Sequence, residues 1–377
     1  MESILASTED HLLSNLSFKL PQNGASYVQS KDQSTFSPQG GNVYSPTTGQ
    51  RILRFALASD GYMDLSSMAF SFDLTNTGAN EMSPLIPGTH SLFSRVRVLI
   101  SGTEVENIEY YNVASEMFNR LLPYEKKANT AAMGFAGYTI PAGTTKNLIH
   151  TPKVVGMCNP PLWVPGSFLG HQGIIIELHL AEGVDVFQSG AAQSTSYSLS
   201  NCRALCDVYQ LDSQLHNTYA QHALSGKPLV FKINSLVNTQ FQLQSATPSL
   251  DIFSRLNSIF VTMHGATSTT VRDITTFIVA NAGELEGRVQ IGSKQWRSGQ
   301  PVKGISQFWY RLLSGLGVIH SASHNIDIAR ATYENGSFIW MTDTEKVHVA
   351  TSTGHHCERA IEHSSARLGV LSPRCHR

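Results

Sequence analysis

Three groups of side chains in this sequence have the types that chemistry needs. Glu104, Glu106 and Glu109 bring carboxylates together, as general acid–base catalysis would require. In an extended strand Glu104 and Glu106 share a face, and a solvated edge or a salt bridge between subunits accounts for them better than catalysis. His355, His356, Cys357, His363, Cys375 and His376 crowd the tail. Zinc takes four Cys/His ligands in close pairs such as C-x₂₋₄-C and H-x₃₋₅-H. His356 to His363 is too wide for this, and Cys357 and Cys375 stand far apart, so no metal ligand is expected. Cys202 and Cys206 are four apart, but strand alternation sets Cys206 with Ala204 and Val208 on one face, as a packed core cysteine.

The remaining candidates are weaker. His216 and His222 are six apart, off the i, i+4 spacing for a shared metal, and flank a predicted bridging helix. Gly315-Leu316-Gly317 lacks the third glycine of a dinucleotide fingerprint and follows a helical pattern rather than a strand. Phe308, Trp309 and Tyr310 are consecutive, so they face different ways and suit packing better than base stacking. There is no G-x-S-x-G elbow, no Walker loop and no H-x-H pair of the kind a cupin enzyme uses. The residues therefore predict a non-enzymatic protein, with no catalytic, cofactor-binding or metal-binding residue and no cofactor.

Composition points the same way. The 377 residues carry 27 Lys+Arg against 28 Asp+Glu, and only 15% are charged, where about 25% is usual. Ser, Thr, Asn and Gln fill the gap and suit broad, uncharged contact surfaces. No apolar run approaches the ~18–20 residues of a membrane span, and the first residues lack the pattern of a signal peptide. Without a Lys/Arg block the chain is poorly suited to coating nucleic acid through its phosphates. Five cysteines, an odd number, are not a disulfide framework and fit a reducing compartment.

The elements that would carry these residues are mostly strands. Ser67–Leu74 alternates Met68, Phe70, Phe72 and Leu74 with Ser67, Ala69, Ser71 and Asp73. Arg95–Ile100 and Ile174–Leu180 follow the same rule. Tyr111–Leu122 reads as a helix stopped by Pro123, and Leu215–Leu224 as a helical bridge. Further strands are predicted at Ala204–Leu211, Leu229–Asn234, Gln240–Gln244, Asn257–Met263, Thr275–Ala280 and Arg288–Trp296, then a helix at Ile305–Leu316. Long loops are expected at Tyr124–Lys146, Ala181–Ser200 and Gly265–Thr270. Residues 1–28 hold a short amphipathic piece, and 29–50 read as an arm or long loop with little to bury. Phe308-Trp309-Tyr310-Arg311-Leu312-Leu313 echoes Met117-Phe118-Asn119-Arg120-Leu121-Leu122, which suggests one β-domain in two tandem copies.

Many short strands, turn-rich joints and few helices leave an all-β sandwich, and two copies of this size match the jelly roll. At Gly61-Tyr62-Met63-Asp64-Leu65, Met68–Asn76, His90–Val98, Gly102–Asn112 and Arg255–Thr262 the chain resembles double jelly-roll major capsid proteins. That family spans tailless phages, adenovirus-like hexons, virophages and Polinton-like elements, and the likeness lies at its eukaryotic DNA-virus end.

The resemblance implies two tandem eight-stranded jelly rolls with a few short helices in long connections. It further implies homotrimers of pseudo-hexagonal outline that tile an icosahedral shell in the virion, assembled inside the host cell. Partners would be the chain itself, neighbouring capsomers and minor capsid or penton proteins, without sequence-specific nucleic-acid binding. The expected boundaries are an N-terminal arm 1–50, a first roll 51–212, a linker 213–228, a second roll 229–346 and a divergent tail 347–377. That tail holds five of the fifteen histidines and little alternation, so the second roll is expected to lack closing strands. The alternative reading is a jelly-roll carbohydrate-binding or attachment module, which would present exposed aromatic platforms.

Overall fold

The computed structural model describes residues 28–47, 49–159, 163–169, 173–226, 229, 233–240, 256–264, 274–279, 285–291, 294–295, 300–321 and 324–344. The amphipathic piece before Val28, the predicted loop 265–270 and the tail 347–377 lie outside them. The first half is built on eight principal strands. These are β1 (Val28–Phe36), β2 (Ile52–Leu57), β3 (Tyr62–Asn76), β4 (Phe93–Ile100), β5 (Thr103–Glu109), β6 (Thr145–His150), β7 (Ile174–Leu180) and β8 (Tyr197–Leu211). One antiparallel sheet has the order β1-β8-β3-β6 and the other β2-β7-β4-β5. Short strands at Val43–Tyr44 and Trp163–Pro165 extend the first sheet, and Pro38–Gln39 extends the second.

Of the seven steps from β1 to β8 only β4–β5 is a hairpin; every other step crosses between sheets. This wrapping is the jelly roll, two Greek keys folded over each other. The hairpin turns on Ser101 and Gly102, both at positive φ (49° and 82°), as a tight two-residue connection requires.

Alternation builds the core. Met68, Phe70, Phe72 and Leu74 of β3 are all buried. Phe70 meets Phe55 of the opposite sheet at 5.2 Å, and Phe72 meets Phe93 edge to face at 5.8 Å. Each such side chain contributes about 1.5–3 kcal/mol of burial.

Four expectations change here. The stretch 29–50, read as an arm, supplies β1, the first strand of the roll. Its Gln29–Gln33 run is exposed, so its hold comes from backbone pairing to β8 and the Lys31–Asp207 ion pair at 2.7 Å. Pro123 does end the first helix, α1 (Tyr111–Arg120), but the supposed loop after it opens with a second, α2 (Tyr124–Met133). None of the α2 residues is buried, so it carries no apolar periodicity to read. β8 begins at Tyr197 instead of Ala204, because a bulge near Asn201 (φ 49°) breaks its alternation. Within the supposed loop 181–200 the chain also forms a single helical turn, α3 (Gly183–Val186). The helical bridge is α4 (Ser213–Leu224), capped by the Asp212 carboxylate on the Gln214 N–H.

In the second half the described residues form three strand pairs. β9 (Ser258–Thr262) pairs with β14 (Ile339–Asp343), β10 (Glu286–Gly287) with β13 (Val302–Lys303), and β11 (Gln290–Ile291) with β12 (Lys294–Gln295). The predicted strand 288–296 is thus divided between β11 and β12. Of the predicted strand 275–280, the described residues 275–279 form no strand; Phe277 makes a bridge to Ser337 and the Ile278 N–H donates to the Met263 carbonyl. Leu229, Ile233 and Asn234 are not in a strand, and 230–232 and 241–244 lie outside the described residues. Helix α5 (Ile305–Gly315) buries Phe308 and Leu312, with Phe308 edge-on to Trp340 of β14 at 5.3 Å. Helix α6 (Arg330–Gly336) precedes β14.

Candidate functional site at the junction of the two halves

Helix α1 follows β5 and lays Tyr111, Ala114 and Met117 into the roll, all fully buried. That anchoring fixes where its last turn points Arg120. The Arg120 Nε donates to Glu116 Oε1 at 3.0 Å, one turn back, and Glu116 Oε2 lies 3.0 Å from His90 Nε2. The rest of the guanidinium crosses into the second half. Nη1 donates to the Gly336 carbonyl and to Ser337 Oγ (3.0 Å), and Nη2 donates to the Thr275 carbonyl. Its plane sits over the Phe277 ring, 4.4 Å from the centroid. A planar cation with several fixed donors can satisfy all of these at once. Burial works to raise the Glu116 carboxyl, but the His90 hydrogen bond and the Arg120 charge outweigh it and hold the group below the usual carboxylate range.

A second tie runs along β5. The Glu106 carboxylate accepts the Gly156 N–H (2.9 and 3.0 Å), the Met157 N–H (3.4 Å) and the Leu236 N–H (3.4 Å). Asn238 Nδ2 donates to the Glu109 carbonyl at 2.7 Å. Residue 156 must be glycine, since a Cβ there would stand 1.9 Å from the Asn234 carbonyl oxygen. Burial pushes the Glu106 carboxyl up to about 7 against the opposing pull of its three amide donors.

Glu104 and Glu106 therefore do not share a face. Val98 opposes Glu106 while Leu99 opposes Glu104. The extra residue, Val105, makes a bulge that sends Glu106 inward and Glu104 outward. On the outer face Glu104 joins a charge ladder across four strands. Arg54 meets Glu177 at 3.7 Å, Arg97 meets Glu177 at 2.9 Å and Glu104 at 2.6 Å. Glu109 pairs more loosely with Arg95, at 3.8 Å.

The other flagged residues do not assemble into a site. Cys202 and Cys206 are buried on β8, and burial raises their thiols to about 12 and about 11. His216 stacks on Phe168 at 5.4 Å. Phe308 is in the core, Trp309 packs on Tyr333 at 4.7 Å, and Tyr310 is exposed. Gly317 takes the left-handed conformation (φ 74°) just past α5, an ordinary helix stop. The tail residues His355, His356, Cys357, His363, Cys375 and His376 lie outside the described residues. Among the described residues no cluster of His, Cys, Asp or Glu could hold a metal ion.

Sequence reading missed His150, which is fully enclosed between Thr89 Oγ1 (3.2 Å) and Tyr111 Oη (3.0 Å). Burial lowers it to about 3, so it is a neutral strut.

No protein-family model and no curated protein matches the chain. Among solved structures, PBCV-1 VP54 fitted into a cryo-EM reconstruction of the virophage Sputnik is 14% identical, over 58% of this chain and 49% of that one, with a TM-score of 0.43. The PBCV-1 virus capsid is 16% identical over the same shares, also with a TM-score of 0.43. The Faustovirus major capsid protein is 10% identical over 55% of this chain and 59% of that one, with a TM-score of 0.35. The chain thus spans about half the length of the first two and somewhat more of the third. The jelly-roll assignment rests on strand order, and the solved structures that the chain resembles include viral capsid proteins.

Proposed function

We propose that this chain is a structural, non-enzymatic major capsid protein of a virion. It works as a homotrimeric, pseudo-hexagonal capsomer of an icosahedral DNA-virus shell. The observation that carries the reading is a complete jelly-roll strand order joined, through Arg120, to a second β-rich half. A fold alone does not assign a function, so the surface matters too. With 15% charged residues, identical patches can meet with little like-charge repulsion. In this reading the first roll runs from β1 through β8, α4 lies in the linker, and 229–346 is a second roll whose trimer contacts come from loops. Minor capsid or penton proteins would be further partners.

Light scattering after gel filtration, with negative-stain microscopy of the peak, tests it. A particle of three chain masses with a six-lobed outline is expected, and a monomer at every concentration overturns it. One feature favours the alternative, a carbohydrate-binding module: Trp163, partly exposed, stacks on Tyr209 at 4.0 Å. A monomer that binds glycans and loses them in Trp163→Ala would select that reading.

A further inference from the structure

The two halves leave a cleft of about 510 Å³ between them. This is within the ~300–1,000 Å³ of small-molecule sites, which favour such junctions. One wall is Phe118 of α1 and Leu122 just beyond it, with Val154 after β6; Phe260 and Leu316 of the second half face them. Phe118 and Phe260 touch edge to face at 5.4 Å, so both halves contribute to its apolar stretch. At the mouth stands Lys153, exposed, its Nζ donating to Thr130 Oγ1 at 2.8 Å. Lys126 is near enough to act on its charge. Lys31, Lys127 and Lys303 each hold a carboxylate. Among the described residues no carboxylate pairs with Lys153 or Lys126.

We propose that this cleft binds a single-chain amphiphile with a carboxylate head. The chain lies between Phe118, Leu122, Val154, Phe260 and Leu316, and the head lies at Lys153. An ammonium at the lip of an apolar cleft, with no acid of its own, gains most from one anion carrying an apolar body. A polyanion gains less, because among the described residues lining the cleft Lys153 is the one Lys or Arg. The inference rests on the cleft and not on the capsid reading: laurate binding by a monomer would keep it while the oligomeric state overturned the other.

Calorimetric titration of the full chain with laurate, lauryl alcohol and acetate tests it. Laurate is expected to bind once per chain and about tenfold more tightly than the alcohol, the size of one charge-assisted contact, and acetate not at all. Lys153→Met should weaken laurate by about the same factor and leave the alcohol unchanged. Ser235→Phe, at a half-buried serine of the lining, should abolish both while the circular dichroism spectrum stays the same. Absence of laurate binding to the unaltered chain overturns the proposal whatever the variants do. Equal laurate affinity in Lys153→Met also overturns it, because the head would then lie elsewhere.

Discussion

Glu106 is an acid kept inside the protein by backbone donors, and its charge has a calculable consequence. Burial raises its carboxyl to about 7, so the folded protein holds the proton more tightly than the unfolded chain does. The stability it contributes is then greatest below the ordinary carboxylate range, falls as pH rises toward about 7, and is level above that. The fall is on the order of 3 kcal/mol. Urea midpoints across this range should show that slope in the natural chain and lose it in Glu106→Gln; parallel slopes in the two proteins would refute the assignment. The buried Glu106 was half legible in sequence. Counting back by two from Ile108, which is buried, places Glu106 on the inner face. The same count puts Glu104 there as well, and only the bulge at Val105, a property of the pairing with β4, moves it out. His150 left no sequence signal, because its partners Thr89 and Tyr111 are remote in the chain and join it only in the folded roll.

At the scale of elements, α1 is the part both halves share. Arg120→Ala removes the cation from a buried carboxylate and leaves the Gly336 and Thr275 carbonyls without this donor. A loss of about 3–5 kcal/mol is expected. Differential scanning calorimetry should also show one transition splitting into two as the halves uncouple. Arg120→Lys should rescue little, because a compact ammonium cannot reach Glu116, Ser337 and two carbonyls together. A single unchanged transition in Arg120→Ala would show that the halves cohere without this contact. The helix itself was readable from the spacing of Val113, Met117 and Leu121, and α5 came with its echo of that helix at residues 308–313. What could not be read is that Arg120, on the same helix, turns away from its own roll. Elements without a buried face were invisible for a related reason: neither α2 nor the polar run in β1 has an apolar rhythm, and both owe their place to what lies beside them.

For the whole molecule, the trimer reading makes a claim about the tail. If capsomer contacts come from loops between strands, a chain ending at Val347 should keep the mass of the full one in light scattering. A drop to monomer would place the contacts in the tail. Cleanly alternating strands such as Met68–Leu74 and Ile174–Leu180 made the β class of the first half legible, but their order became visible only in the pairing, while four of the six described strands in the second half offer two residues each, too few for a period to emerge. The crossing of the roll also sets an order of events. β1 leaves the ribosome first, yet its partner β8 is the last strand of the roll. Pairing across that separation is slow, and for the whole interval β1 is a loose strand among growing neighbours. Its polar stretch Gln29-Ser30-Lys31-Asp32-Gln33-Ser34-Thr35 keeps it from pairing with the wrong one. Replacing Lys31 and Asp32 together by valine should therefore lower the soluble yield from cells far more than it lowers the melting temperature of what does fold. That segment is built for the wait as much as for the sheet it finally joins.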